Sequence, residues 1–437
     1  MSQKITVIGL GYIGLPTAVM FASHGFRVHG VDINEETVAS LRNREIHIEE
    51  PGLEERLAKV MDEGRFTVGT EPEEADAFII AVPSPIYPDK SADLSYVQTA
   101  SESIASYVRK ENLVILESTV PPKTIETVVI PALASTGLEI GEELFVAHSP
   151  ERVLPGKLFQ ELVYNDRILG GVNEESSRRA LELYRAFVQA DIRITDATTA
   201  EMVKVVENTY RDVNIAFANE LAKISDQLDV NVWEVIELAN CHPRVNVHKP
   251  GPGVGGHCVA VDPWFLAHYS PDQPGVIETS RKTNDSMPAY TVERALEIMK
   301  QQQIAHPKIA VLGLAFKGNI NDTRESPSLR VIEELQKKGI EFSVYDPHVT
   351  ENLYLNQSQD LIEAISHTDL LMVLTEHSEF RVLNPDMMKQ YMRSPFIMDT
   401  KGFMPFEQWE KSGFDTYTLG DSKHQKNDQI IRAGYAE

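Results

Sequence analysis

The chain has two cysteines, Cys241 and Cys258, in unlike settings. Cys258 ends the segment PGPGVGGHC, where glycines at 251, 253, 255 and 256 allow close backbone approach, and Asp262 follows four residues on. A thiol there would gain thiolate character from nearby cations or a helix N-terminus and act as a nucleophile. Cysteine more often serves as a small buried hydrophobe, so from residue type both readings stand. Cys241 lacks that setting and reads as packing. A second group is Lys204, Asn208 and Arg211, whose i, i+4, i+7 spacing puts them on one helical face. They form either a solvated stripe or a row facing a site, since the same stretch carries Met202, Val203, Val205, Val206, Ile215 and Phe217.

A third group is Gly9-Leu10-Gly11-Tyr12-Ile13-Gly14, a G-x-G-x-x-G motif after the β-rich run Ile5–Ile8 and before a helical stretch, Leu15–Ser23. Asp32 ends the next strand-like run. This is the context a dinucleotide site requires: Gly9 for the turn, Gly11 for backbone approach to a pyrophosphate, Gly14 for helix–strand packing. The helix N-terminus adds unpaired N–H groups and positive potential. Asp32 would bond the adenosine ribose and repel a 2′-phosphate, which selects NAD over NADP.

The elements that must position these groups follow from periodicity. Strand-like runs at Arg27–Asp32, Ala77–Val82, Leu113–Glu117 and Leu144–Ala147 alternate with helical patterns, as in a parallel sheet covered on both faces. From about Thr198 nearly thirty residues run with helical periodicity and neither Pro nor Gly, and helix is expected to continue to about residue 300. KIAVLGLAFKG then echoes KITVIGLGYIG, EFSVYD echoes RVHGVD, and DLLMVL echoes DAFIIAV. The expected fold is α/β, with two Rossmann-like doubly wound domains, 1–197 and 304–437, joined by a central helical region, 198–303, with a long helix. The polar tail after about Ser422 is expected to be loosely ordered.

Composition narrows the function. At 437 residues the chain is too long for one ordinary core. A formal charge of −24 argues against nucleic acid as a partner, because phosphate backbones need a broad basic surface. A small anionic ligand would instead need a local cationic cluster. Two cysteines are too few for a disulfide framework or a paired-cysteine zinc site, so no metal is expected. No apolar run reaches the roughly 18–20 residues that span a bilayer. The opening MSQKITVIGLGYIG lacks signal-peptide features, so a cytoplasmic protein is expected.

Taken in order, GLGYIG, AVPSP (81–85), STVPP (118–122), SPERVLPG (149–156), EMVKVVENTYRDVNIAFANE (201–220), GPGVGGHCVAVDP (251–263) and GLAFKGNINDTRESPS (313–328) resemble the UDP-glucose/GDP-mannose dehydrogenase family nearly end to end. HSPERVLPG, NDRILGG and HPRVNVHKPGPGVGGHC are most similar to its branch acting on UDP-N-acetyl-D-mannosamine, which serves bacterial surface polysaccharides. The resemblance implies a four-electron oxidation at C6 with two NAD in succession. Cys258 would carry a thiohemiacetal and then a thioester. Lys204 would act in proton transfer or on the oxyanion, with Asn208 and a water as donors. Asp262 would orient that water or tune the lysine, and Thr119 and Glu151 would lie beside the nicotinamide and the hydrolytic water. On the cofactor side the implied contacts add Tyr12, Ile13, Val82, Pro83, Ser84 and Arg324. For the UDP-sugar they are Arg152, Val153, Arg211, His242, Arg244, Gly255, Lys317 and Lys401, besides Lys204 and Asn208; guanidinium groups suit bidentate phosphate recognition.

Two departures stand out. His257 precedes the cysteine where the family often has an aromatic residue or Ser, and Lys401 stands where some members have Arg. GLAFKG has lost the second glycine and carries Lys317, so the C-terminal domain is expected to bind nucleotide sugar and not a second NAD. The alternatives are UDP-N-acetylglucosamine or UDP-glucose as substrate, a cysteine-independent 3-hydroxyacid or 6-phosphogluconate-type dehydrogenase, and a non-catalytic ligand-binding regulator. A homodimer or a multiple of one is expected from the long helix and the family pattern.

Overall fold

In the computed structural model, residues 3–48, 50–154, 156–269 and 275–421 are described. The expectation for the tail falls outside them. The chain divides into two compact units, Met1–Glu207 with Trp264–Tyr269, and Asn208–Pro263 with Ser270–Glu437.

In the first unit the apolar runs form β1 (Lys4–Ile8), β2 (Arg27–Val31), β3 (Phe66–Gly69), β4 (Ala77–Ile80), β5 (Leu113–Leu116), β6 (Phe145–His148), β7 (Arg167–Gly171) and β8 (Ile192–Asp196). They make one sheet in the order β3-β2-β1-β4-β5-β6-β7-β8, with β6 and β7 antiparallel. All four residues of β4 are buried, Ala77 and Ile79 in one apolar cluster and Phe78 and Ile80 in another. A strand covered on both faces must read as an unbroken apolar run. The strand order reverses between β1 and β4, where parallel α/β sheets open a crevice at their carboxyl ends.

The second unit holds β9 (Lys308–Leu312), β10 (Glu341–Tyr345), β11 (Leu370–Val373), β12 (Phe396–Asp399) and β13 (Asp415–Thr418), all parallel, in the order β10-β9-β11-β12-β13. Here the reversal lies between β9 and β11. β11 repeats the alternation of β4, with Leu370 and Met372 in one cluster and Leu371 and Val373 in another.

The expected long helix runs from Ala197 to Leu228. Asp196 caps its start by accepting from the backbone and hydroxyl of Thr199, and the chain leaves it at Asp229 in the left-handed region, φ +58°. A helix at Val232–Asn240 follows, capped by Asn231. The expected helix to residue 300 is interrupted: 241–261 holds no helix or strand, because prolines and glycines break it. Helix resumes at Asp262–Ala267, Val276–Asp285 and Met287–Gln301. Among the described residues no helix is long and apolar enough to cross a membrane.

Candidate functional site

In the first unit the glycine motif occupies the crevice between the ends of β1 and β4. Gly9 has φ +89°, and a Cβ there would lie 2.5 Å from the Ala81 carbonyl. A Cβ on Gly14 would lie 1.9 Å from the Gly9 carbonyl, so the helix Gly14–Ser23 can press this close only with glycine there. Gly11 faces open space. Tyr12 and Ile13 are half-buried, and no side chain caps the helix at Ile13. Asp32 accepts from Leu10 N and Asn34 N, both at 2.9 Å, one bond on each oxygen. Each oxygen keeps a lone pair for a ribose hydroxyl. The residues present therefore fit a dinucleotide: a glycine with open space at a helix N-terminus, beside a half-buried acid at the end of the second strand.

The ends of β4 and β5 are tied beside this cradle. The Ser118 hydroxyl accepts from Val82 N (2.9 Å) and donates to Val82 O (2.7 Å), and the Ser84 hydroxyl donates to Thr119 O. Pro83 between them is exposed. Buried Glu201, one turn before Lys204 on the long helix, accepts from Lys123 N (2.5 Å) and Ile125 N (2.8 Å), so it clamps the STVPPK loop. Burial raises its carboxyl to about 7. Lys204 is half-buried, and no bond fixes its ammonium among the described residues.

Glu151 is buried and accepts from Arg167 Nη2 (2.8 Å) and Arg152 N (2.7 Å). Arg167, itself buried, also donates to Ser149 Oγ and lies over the Tyr184 ring, whose hydroxyl donates to Glu117. Burial pushes the Glu117 carboxyl up, with Arg167 opposing. Arg152 binds both oxygens of Glu207, at 3.0 and 2.6 Å, so its charge is met by the protein. Val153 packs partly buried against the core.

In the second unit Cys258 is half-buried, and its carbonyl accepts from Val261 N (3.0 Å) and Asp262 N (2.8 Å), which winds the turn into the helix at Asp262. Asp262 is buried and accepts from the Asn208 amide, and Asn208 accepts from Arg211. Asn208 is 1% exposed, whereas Arg211 is exposed beside it. The glycine loop is pinned at Gly251, whose N–H donates to Asn219 (2.8 Å). Asn219 donates to Asn284, and Asn284 to Asp212, which pairs with buried Arg281. A Cβ on Gly255 would lie 2.7 Å from both Phe316 and Pro327, so the loop lies directly on the 316–327 segment. Gly256 N donates to Arg324 O (3.1 Å), and Arg324 itself chelates Asp322. His257 is exposed.

Lys317 and Lys401 sit on loops after β9 and β12. Lys317 is exposed, whereas Lys401 lies 3.6 Å from Glu376, and a Cβ on Gly251 would lie 3.5 Å from its ammonium. His242 and Arg244 are exposed, and no described contact joins them to Arg211, Lys317 or Lys401. The packing role expected for Cys241 is corrected: it is exposed at the end of the helix Val232–Asn240, where the chain turns toward solvent.

Three family models cover the chain in this order: the NAD-binding domain of the UDP-glucose/GDP-mannose dehydrogenase family at 3–188, its central domain at 198–286, and its UDP-binding domain at 310–405. The chain belongs to the UDP-glucose/GDP-mannose dehydrogenase family. A UDP-N-acetyl-D-mannosamine dehydrogenase of Methanococcus maripaludis is 46% identical over 96% of this chain and 97% of its own length. The solved UDP-D-ManNAc dehydrogenase of Pyrococcus horikoshii matches with TM-score 0.89 at 41% identity, over 96% of this chain and all of its own. The UDP-N-acetyl-mannosamine dehydrogenase of Staphylococcus aureus matches with TM-score 0.87 at 47% identity, covering 96% and 99%. The chain is thus an NAD-dependent dehydrogenase with a UDP-binding domain.

In this dehydrogenase the repeated domain has an acid at the place of Asp32, but Asp346 is buried and saturated. It accepts from Leu314 N, Ala315 N, His348 N and Val349 N at 2.6–3.1 Å, and from His377. That leaves no free acceptor at the position where Asp32 keeps one on each oxygen. Sequence reasoning missed Glu50, which accepts from Gly156 N and Leu158 N and so holds the SPERVLPG loop, and it gave no role to Glu117, Arg167 or Glu201. A charged residue at the border of an apolar run was the available signal for Glu117 and Arg167; Glu50 offered none.

Proposed function

We propose that this dehydrogenase oxidises C6 of UDP-N-acetyl-D-mannosamine to the carboxylate, with Cys258 as covalent nucleophile. The observation that carries the mechanism is the single turn from Cys258 to Asp262, whose buried carboxylate is fixed by Asn208, itself bonded to Arg211. A half-buried thiol one turn from an ordered acid and amide is arranged for acyl chemistry. The names of the relatives support the sugar.

NAD, when bound, supplies the hydride acceptor; Gly9, Gly11, Gly14 and Asp32 would hold it, with Tyr12, Ile13, Val82, Pro83, Ser84, Thr119 and Arg324 alongside. The C6 alcohol loses a hydride and its hydroxyl proton to give the aldehyde, with Lys204 in the proton transfer. The Cys258 thiolate adds to the aldehyde carbon, and the oxygen takes a proton to complete the thiohemiacetal. Lys204 and Asn208 stabilise the developing oxyanion. Loss of a second hydride and the hydroxyl proton leaves the thioester. Water, directed by Glu151 and Asp262, then displaces the thiol and releases the acid. One alcohol, two NAD and one water thus become one carboxylate, two NADH and three protons. Covalent capture keeps the aldehyde from escaping.

Arg211, Arg244, Lys317 and Lys401, with Arg152, Val153, His242 and Gly255, would hold the UDP-sugar, as a diphosphate needs local cations in a protein of charge −24. We place the enzyme in the cytoplasm, as a homodimer, supplying uronic acid for surface polysaccharide. An NADH-release assay over a panel of UDP- and GDP-sugars tests the reaction. The expected result is two NADH per UDP-N-acetyl-D-mannosamine with little turnover of the others. One NADH per sugar would overturn the thioester route, and preference for UDP-N-acetylglucosamine or UDP-glucose would overturn the substrate.

A further inference from the structure

The loop after β9 carries Lys317 and, through Phe316, the floor on which Gly255 and Gly256 rest just before Cys258. Its conformation is therefore set by whatever holds residues 313–319. One end is held at Asp346, which takes the N–H groups of Leu314 (2.6 Å) and Ala315 (3.1 Å). The other end is held at His377, whose Nδ1 lies 2.9 Å from Asn319 N. A backbone N–H can only donate, so Nδ1 carries the lone pair and the proton sits on Nε2. Nε2 faces Asp346 Oδ2 at 3.0 Å, and both side chains are fully buried. The histidine thus has one compatible tautomer, neutral, with both nitrogens in use.

Asn319 itself adopts φ +62°, a left-handed conformation that asparagine tolerates better than most side chains. Its side chain accepts from Ser378 N (2.8 Å) and Ser378 Oγ (3.0 Å), so the residue after His377 holds the same asparagine. The bonds join the loops after β9, β10 and β11, across the reversal of strand order at which such sheets bind ligands. His348 and Glu379 approach His377 closely enough to suggest a metal trio, but His377 has no ring nitrogen to give.

We propose that the Asp346–His377 pair is a positioning device for UDP binding: it locks the Lys317 loop, and with it the seat of the Cys258 loop, in the conformation that receives the nucleotide sugar. This rests on the assignment of UDP-sugar contacts to Lys317. His377→Phe keeps the ring packing on Phe380 and removes both bonds, whereas His377→Asn retains an acceptor at the Nδ1 position. Calorimetry with UDP alone should show affinity about tenfold or more weaker in the Phe variant and largely restored in the Asn variant, since losing one ordering bond to a loop is worth that much. The KM for UDP-sugar should rise in parallel, with the NAD dissociation constant within about twofold of wild type. In the wild-type enzyme, hydrogen exchange at the Asn319 amide should be slow although the residue is exposed. A folded Phe variant that binds UDP like the wild type would overturn the proposal alone, as would fast exchange at Asn319, a readout that needs no variant. Wild-type enzyme that bound no UDP would remove the functional reading and this inference together.

Discussion

Replacing the sulfur of Cys258 by oxygen keeps the shape of the turn and removes the chemistry, because a serine hydroxyl near neutral pH is scarcely ionised and is a poorer leaving group from an acyl intermediate. Cys258→Ser should therefore bind NAD within about twofold of wild type while turnover falls by at least ~10³-fold, the scale seen when a covalent nucleophile is lost. Equilibrium binding of NAD beside steady-state NADH production checks this, and normal turnover would sink the thioester route. Asp262 was recognisable in the sequence because four residues from Cys258 is one helical turn. Its bond to Asn208, 54 residues away, was not, because no local pattern records which buried acid meets which amide.

The long helix and the Gly9–Gly14 turn were legible as elements, since an unbroken 3.6-residue period and a glycine motif after a strand are local signals. β8 was not: residues 193, 194 and 196 are exposed, so it lacks the apolar run that marked β4 and β5. β3 and β13 are four-residue edge strands and equally silent. Clamps between elements are harder still to read, and Glu201 is the clearest case. Its folded carboxyl is raised from 4.5 to about 7 by burial, so between those values the folded chain keeps a proton that the unfolded chain has released. Stability must then fall as pH rises from about 4.5 to 7, by at most roughly 3 kcal/mol from this group. Urea midpoints at pH 5, 6, 7 and 8 should decline in the wild type and decline less in Glu201→Gln, where nothing titrates at that position. Parallel pH profiles for the two proteins would exclude the clamp as the source.

At the scale of the whole molecule, two similar folds have divided the labour. Asp32 remains half-buried and keeps acceptors for a cofactor, whereas Asp346 has been spent on holding loops. The long helix carries one further feature on its outer face: Tyr210, Phe217 and Ile224, spaced by seven residues, are 55%, 51% and 42% exposed, and Met202, Val206 and Leu228 extend the row. Large apolar side chains at heptad spacing along a 32-residue helix match a second helix of the same kind, and a self-complementary stripe closes most simply as a two-fold dimer. Phe217→Glu combined with Ile224→Glu should leave each copy folded, because both positions face solvent within one chain. The same change should weaken self-association by ~100-fold or more, about 2.7 kcal/mol, as two central apolar anchors are replaced by like charges. Sedimentation at equal micromolar concentration should then give a monomer for the double variant and a dimer for the wild type and for the exposed control Lys337→Glu. A wild-type monomer, or a variant that still sediments as a dimer, would leave the stripe without its partner.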